Sequence, residues 1–249
     1  MSRSNPVETK RNPAARWYQW SAKNGNVSYY DKDKKQSVDV TLPFGFILLD
    51  ELSTIKGWHD ASDSGISSNE VRNMRLDPLV VKSFKGGELA NGLYSDIKDR
   101  IAAIGGHYVT NLYIASKIDG QLKLASLQLG GAALSSWFEF RKASGQEIYK
   151  GAIQINGFKE GKKGAVSFKT PSFKMVPLSE ESNELALELD RQLQAFLNEY
   201  LAQSRTEPPA PAVPQVDNTA PKATEADTDY HPFEDCRETP PTPADDVPF

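Results

Sequence analysis

One cysteine, three histidines and no apolar run near the roughly 18 residues of a membrane span are what this chain of 249 residues has little of or does without. A single thiol, Cys236, cannot form an intrachain disulfide, which fits a reducing, intracellular setting. The opening MSRSNPVETKRNP has no apolar segment of the kind a secretory signal needs. There is no GxxxxGK run followed by Ser or Thr, no pair of Cys or His at zinc spacing and no recognisable nucleophile motif. These absences argue against a phosphate-cradling loop, a zinc module and covalent catalysis. The expectation is a chain with no cofactor, no metal, no catalytic residues and no membrane partner.

Charge is present but divided. The chain carries 29 basic and 33 acidic residues, a net charge of −4. Residues 206–249 hold Lys222 and Arg237 against ten acids, 2 − 10 = −8, whereas residues 1–178 hold 25 basic and 17 acidic residues, 25 − 17 = +8. A basic body therefore carries an acidic tail, and bulk charge alone is a misleading guide to polyanion binding. Ten of the sixteen prolines fall after Thr206. The tail, residues 204–249, cannot bury enough apolar surface to offset its ordering entropy and is expected to be disordered. Residues 1–14 are expected to form a flexible arm, and residues 15–203 the folded body.

The body reads as β-rich. Two aromatic clusters flank Lys23-Asn24-Gly25-Asn26, a hairpin signal, and Asp31–Lys35 reads as a second turn. FGFILLDEL (44–52) is a buried strand, and PLVVKSFKGG (78–87) another. In LYSDIKDRIAAIGG, Ile97, Ile101 and Ile104 share one helical face and Gly105-Gly106 ends the helix. HYVTNLYIASK and QLKLASLQL are joined at Asp119-Gly120 as a hairpin. Strand, strand, strand, helix, strand, strand is the order of an OB-fold barrel, although other β-rich folds share it. Beyond it, residues 132–143 read as a short helix, three short strands follow, and a helix capped by Ser179 runs to about Ala202 with Leu185, Leu189, Leu193, Phe196 and Tyr200 on one stripe.

The chain ends in Asp245-Asp246-Val247-Pro248-Phe249. An apolar ring, a carboxylate and two flanking acids suit an apolar pocket rimmed by Arg or Lys. This ending resembles that of the bacterial single-stranded DNA-binding protein family, and the longer body is similar to phage-encoded members that join an OB-fold to such a tail. The resemblance implies a protein of the infected bacterial cytoplasm that binds single-stranded DNA in replication, recombination and repair. It also implies that residues 245–249 dock partners such as a polymerase, helicase, primase or nuclease, with self-association a further expectation.

Single-strand binding needs a cationic track and exposed aromatic faces. The candidates are Arg16, Trp17, Trp20, Tyr30, Lys34 and Lys35 in the opening hairpins, and Trp58 in a polar loop. Arg72, Arg75, Lys82 and Lys85 lie between the middle strands. Alternation places Tyr113 and Lys117 on the wetter face of the later hairpin, with Lys123 on the partner strand. Trp17 and Trp20 fall on opposite strand faces, so one of them belongs to the core. Lys159, Lys162 and Lys163 form a further basic turn. Two other readings stand beside this one. One is a replication adaptor without DNA affinity. The other is a metal-dependent nuclease using Asp60, Asp63 and Glu70 around His59.

Overall fold

A computed structural model describes residues 11–206, with side chains to residue 202. Eleven strands join one mixed, open sheet, and three α-helices pack on it. Polar turns punctuate the first hairpins: β1 (Arg16–Ser21), β2 (Asn26–Asp31) and β3 (Gln36–Val40) pair antiparallel. Strand β4 (Phe44–His59) is far longer than its apolar centre suggests and runs antiparallel to β8 (Gly106–Ile118) over nearly its whole length. On its other edge β4 meets β10 (Ala152–Lys163) at its start and β5 (Ser64–Ser68) at its end. A bulge at Leu48/Asp50 lets one strand serve these neighbours by bending it. Strands β6 (Leu79–Ser83) and β7 (Gly87–Gly92) extend the sheet beyond β5, and β9 (Gln121–Gly130) returns beside β8 through the Asp119-Gly120 turn.

The closed barrel expected from the element order is not the sheet observed. The free edge of β9 is taken by β1, the one parallel pairing in the sheet, so the order runs β3-β2-β1-β9-β8-β4-β5-β6-β7. The three short strands expected near residues 150–176 are instead one hairpin of two long strands, β10 and β11 (Val166–Val176).

One face of the sheet builds the main core. Tyr18, Trp20, Phe44, Phe46, Leu112, Leu127 and Ile153 pack there beneath Trp137 of α2 (Gly131–Ser144), whose ring also meets Phe140 and Phe173. Helix α1 (Tyr94–Ala103) covers a second cluster, Ile55, Ile66, Leu79 and Val81, with its own Ile97 and Ile101. The chain leaves α1 hard against β4, and a Cβ at Gly105 (φ +85) would lie 2.3 Å from the Trp58 carbonyl oxygen, so only glycine fits. Helix α3 (Glu180–Thr206) buries Leu193, Phe196 and Leu197 on the opposite face, against Leu52, Tyr113 and Leu124. Each such side chain contributes on the order of 1.5–3 kcal/mol. Ala14, expected in the flexible arm, joins this cluster, and Asn12 donates from Nδ2 to the Tyr113 hydroxyl at 2.9 Å. Among the described residues no helix is long and apolar enough to cross a membrane.

Candidate nucleic-acid interface

Register sorts the candidate residues by position. The β1–β2, β4–β5 and β6–β7 turns lie at one end of the sheet, the β2–β3 and β8–β9 turns at the other. Lys34 and Lys35 at the β2–β3 turn, Arg16 at the start of β1, and Lys117 and Lys123 near the β8–β9 turn therefore belong to the second end. Lys82 and Lys85 belong to the first, and Arg72 and Arg75 lie in the β5–β6 loop. The expected set is not one patch.

Four of these residues have other work. Trp20 is buried and donates from Nε1 to the Lys169 carbonyl at 2.9 Å, so of the two tryptophans in β1 it is Trp17 that faces solvent, 46% exposed. Trp58, read as a loop residue, is buried at the end of β4 where the chain leaving α1 packs on it. Tyr113 is fully buried, because α3 lies over the face that alternation marked as wet. Arg72 donates to both oxygens of Asp50 at 2.8 and 2.7 Å and to Gln194 of α3 at 3.1 Å, so it clips the β5–β6 loop to the sheet and helix. Lys123 is half-buried and shares the face of Ser116, opposite to Tyr113, since Tyr113 stands across from Ser126. Arg16 lies over the Tyr29 ring at 4.1 Å and 3.8 Å from Asp119, a surface ion pair of little energetic weight. Lys34 and Lys35 are exposed, Lys34 3.5 Å from Asp31, and Tyr30 is half-buried beside them. Arg75, Lys82, Lys85 and Lys117 are exposed.

The nuclease cluster comes apart in the fold. Asp60 and Asp63 are exposed at the β4–β5 turn, whereas the Glu70 carboxylate accepts from Asn111 and Tyr113, both at 2.7 Å. Burial pushes Glu70 above the usual carboxylate range, opposed by those two hydrogen bonds. Burial likewise lowers His107. Among the described residues no group of three or more His, Cys, Asp or Glu is placed to hold a metal ion.

Two hairpins carry what single-strand binding needs. Beyond the bulge at Ile155/Gly157, the β10–β11 hairpin has no third strand paired with it among the described residues. Residues 157–169 of this arm hold Lys159, Lys162, Lys163 and Lys169 against Glu160, 4 − 1 = +3. The arm is anchored and does not swing freely: Lys169 donates from its backbone to Ala22 at 2.8 Å and from Nζ to the Asn24 carbonyl at 3.3 Å, and Phe158, 41% exposed, packs on Gly25. The second hairpin is the β6–β7 turn, where Lys82 and Lys85 flank Phe84, 79% exposed.

Phe84 and Phe158 are absent from the residues the sequence nominated. The available signal was an aromatic residue next to lysine and glycine, SFKGG and GFKEG, in stretches where a strand turns. Residues 245–249, the expected docking tip, lie outside the described residues. Comparison with protein-family models, with curated proteins and with solved structures finds no match for this chain.

Proposed function

We propose that this chain binds single-stranded DNA without marked sequence preference, shielding it during phage replication, recombination and repair, and recruits partner proteins through residues 245–249. The observation that carries the reading is the pair of solvent-exposed phenylalanines, Phe84 and Phe158, each next to lysine on its own hairpin. Exposed lysines neutralise phosphates and release counterions, and aromatic faces stack on bases of any identity. The reading takes β4, β5, β6, α1, β8 and β9 as an OB-type core whose closing edge is occupied by β1. The acidic tail supplies reach for partners and the Asp245, Asp246 and Phe249 side chains that an apolar, basic-rimmed pocket would read.

The test is a titration of the full chain with labelled oligo-dT and with duplex of equal length at two salt concentrations. Tighter binding to the single strand, weakened by salt, is the expected result. Absence of binding to either would overturn the reading and leave the adaptor role.

A further inference from the structure

The β6–β7 turn displays a large aromatic ring on an unusually well braced main chain. Ser83 Oγ accepts from the Gly86 N–H at 2.8 Å, and Ser64 Oγ accepts from the Lys85 N–H at 3.1 Å. Ser62 Oγ lies between them, 2.9 Å from Ser64 Oγ, donating to Ser83 Oγ at 3.2 Å and 2.7 Å from His59 Nδ1. Ser64 and Ser83 are buried, so these bonds are sheltered from water. The Phe84 N–H is bonded too, to the Gly65 carbonyl at 3.2 Å. A Cβ on Gly86 would meet Ser83 Oγ at 2.4 Å, so the cluster closes only around glycine. Two elements, the β4–β5 hairpin and the β6–β7 turn, are thus locked into one unit, and Phe84 is the residue it holds out.

A ring 79% exposed on a fixed turn gains nothing for the fold. What it offers is a flat apolar face carried on a main chain that is already ordered before a ligand arrives, which lowers the cost of binding. The ligand must be compatible with cations on either side, since Lys82 and Lys85 are both exposed and flank the ring. A nucleobase meets both conditions: it has a π face for Phe84 and a phosphate on each side for the lysines. An apolar protein segment meets only the first.

We propose that Phe84 is a preorganised base-stacking finger for a single strand, with Lys82 and Lys85 on the adjoining phosphates and the His59–Ser62–Ser64–Ser83 cluster as its positioning brace. This rests on the single-strand reading above and adds the residue that carries stacking. The experiment uses the full chain and fluorescein-labelled oligo-dT, read by anisotropy over a range of salt. Phe84→Ala is expected to weaken binding by roughly 5- to 150-fold, the effect of losing one stacked base. It should leave the slope of log K against log salt unchanged, because no phosphate contact is lost. Phe84→Trp is expected to retain affinity and to add a tryptophan emission that oligo-dT quenches. Wild-type binding that Phe84→Ala leaves within twofold, together with an unmoved Phe84→Trp emission, would overturn the finger while the single-strand reading stood. Failure of the wild type to bind oligo-dT would overturn both. An equal loss of affinity for duplex DNA would overturn stacking as the role of the ring.

Discussion

The Tyr113 hydroxyl donates to the Glu70 carboxylate at 2.7 Å in a site closed by α3, whose Tyr200 hydroxyl accepts from the Glu70 N–H at 2.9 Å. A buried carboxylate thus fastens the β5–β6 loop, strand β8 and the last helix to one another. Burial raises the Glu70 pKa and, together with the negative charge of Glu70, raises that of Tyr113. Glu70 is easier to protonate in the folded than in the unfolded chain. Its contribution to stability is therefore full below about pH 4.3, the unfolded value, and is lost as pH rises through the folded value. Denaturant midpoints measured from pH 4 upward should show this decline in the wild type and its loss in Glu70→Gln. Parallel pH profiles would sink the assignment.

The same network predicts the effect of removing one hydroxyl. Tyr113→Phe leaves Glu70 short of a donor and Asn12 short of an acceptor at a site with little access to water. The expected loss is about 1–3 kcal/mol in unfolding free energy, the usual cost of stranding buried polar groups. A DNA-binding role for Tyr113, as the sequence suggested, would instead lower affinity and spare stability. Urea unfolding and oligo-dT titration of one variant separate the two.

The β10–β11 arm should reveal itself through salt. Lys159, Lys162 and Lys163 are exposed, and replacing all three by Ala removes up to three phosphate contacts without touching the core. The slope of log K against log salt for oligo-dT should then become shallower by about 2, at about 0.7 per contact on a single strand. Thermal stability should be unchanged. An unaltered slope would remove the arm from the interface.

Fluorescence has a built-in source. Of the four tryptophans, Trp20, Trp58 and Trp137 are buried and only Trp17 faces solvent. Acrylamide should quench mainly Trp17, and Trp17→Phe should abolish most of that quenching. If oligo-dT quenches the wild type but not Trp17→Phe, the strand passes over the outer face of β1. Quenching that survives the substitution would place the change in a buried ring and mark a conformational response.

Local signals in the sequence were sound where local physics decides. The turns at Asn24-Gly25 and Asp119-Gly120, the α1 stripe of Ile97 and Ile101 with its Gly105-Gly106 stop, and the helix at residues 131–144 all form as the residues suggest. What failed depended on distant partners. Tyr113 and Asn111 alternate with apolar residues like a solvated face, and only the arrival of α3, some 80 residues later, makes that face interior. Trp58 follows polar turn chemistry but belongs to a strand whose length is set by pairing with β8. The edge pairing is illegible for the same reason: nothing in β9 announces that β1, more than 100 residues earlier, will take its edge. An isolated Phe beside lysines, as at Phe84, has no periodic signature, and the Ser62–Ser83 brace that holds its turn joins residues 21 positions apart.

The last prediction concerns the tail, which differs from the body in the sign of its charge. Residues 206–249 carry ten acids against two bases, while the arm and the β6–β7 turn present lysines to any polyanion. On the single-strand reading, a chain segment bearing −8 and tethered to the body is expected to compete with DNA at high effective concentration. Deleting residues 207–249 should therefore raise oligo-dT affinity at low salt, and the gain should fade as salt screens both partners. Deleting Phe249 alone changes no side-chain charge and should leave DNA affinity nearly intact while weakening capture of a partner protein that reads the tip. The two deletions thus report on separate functions. Equal effects on DNA affinity would show that the tail acts through its terminal aromatic residue and not through its charge.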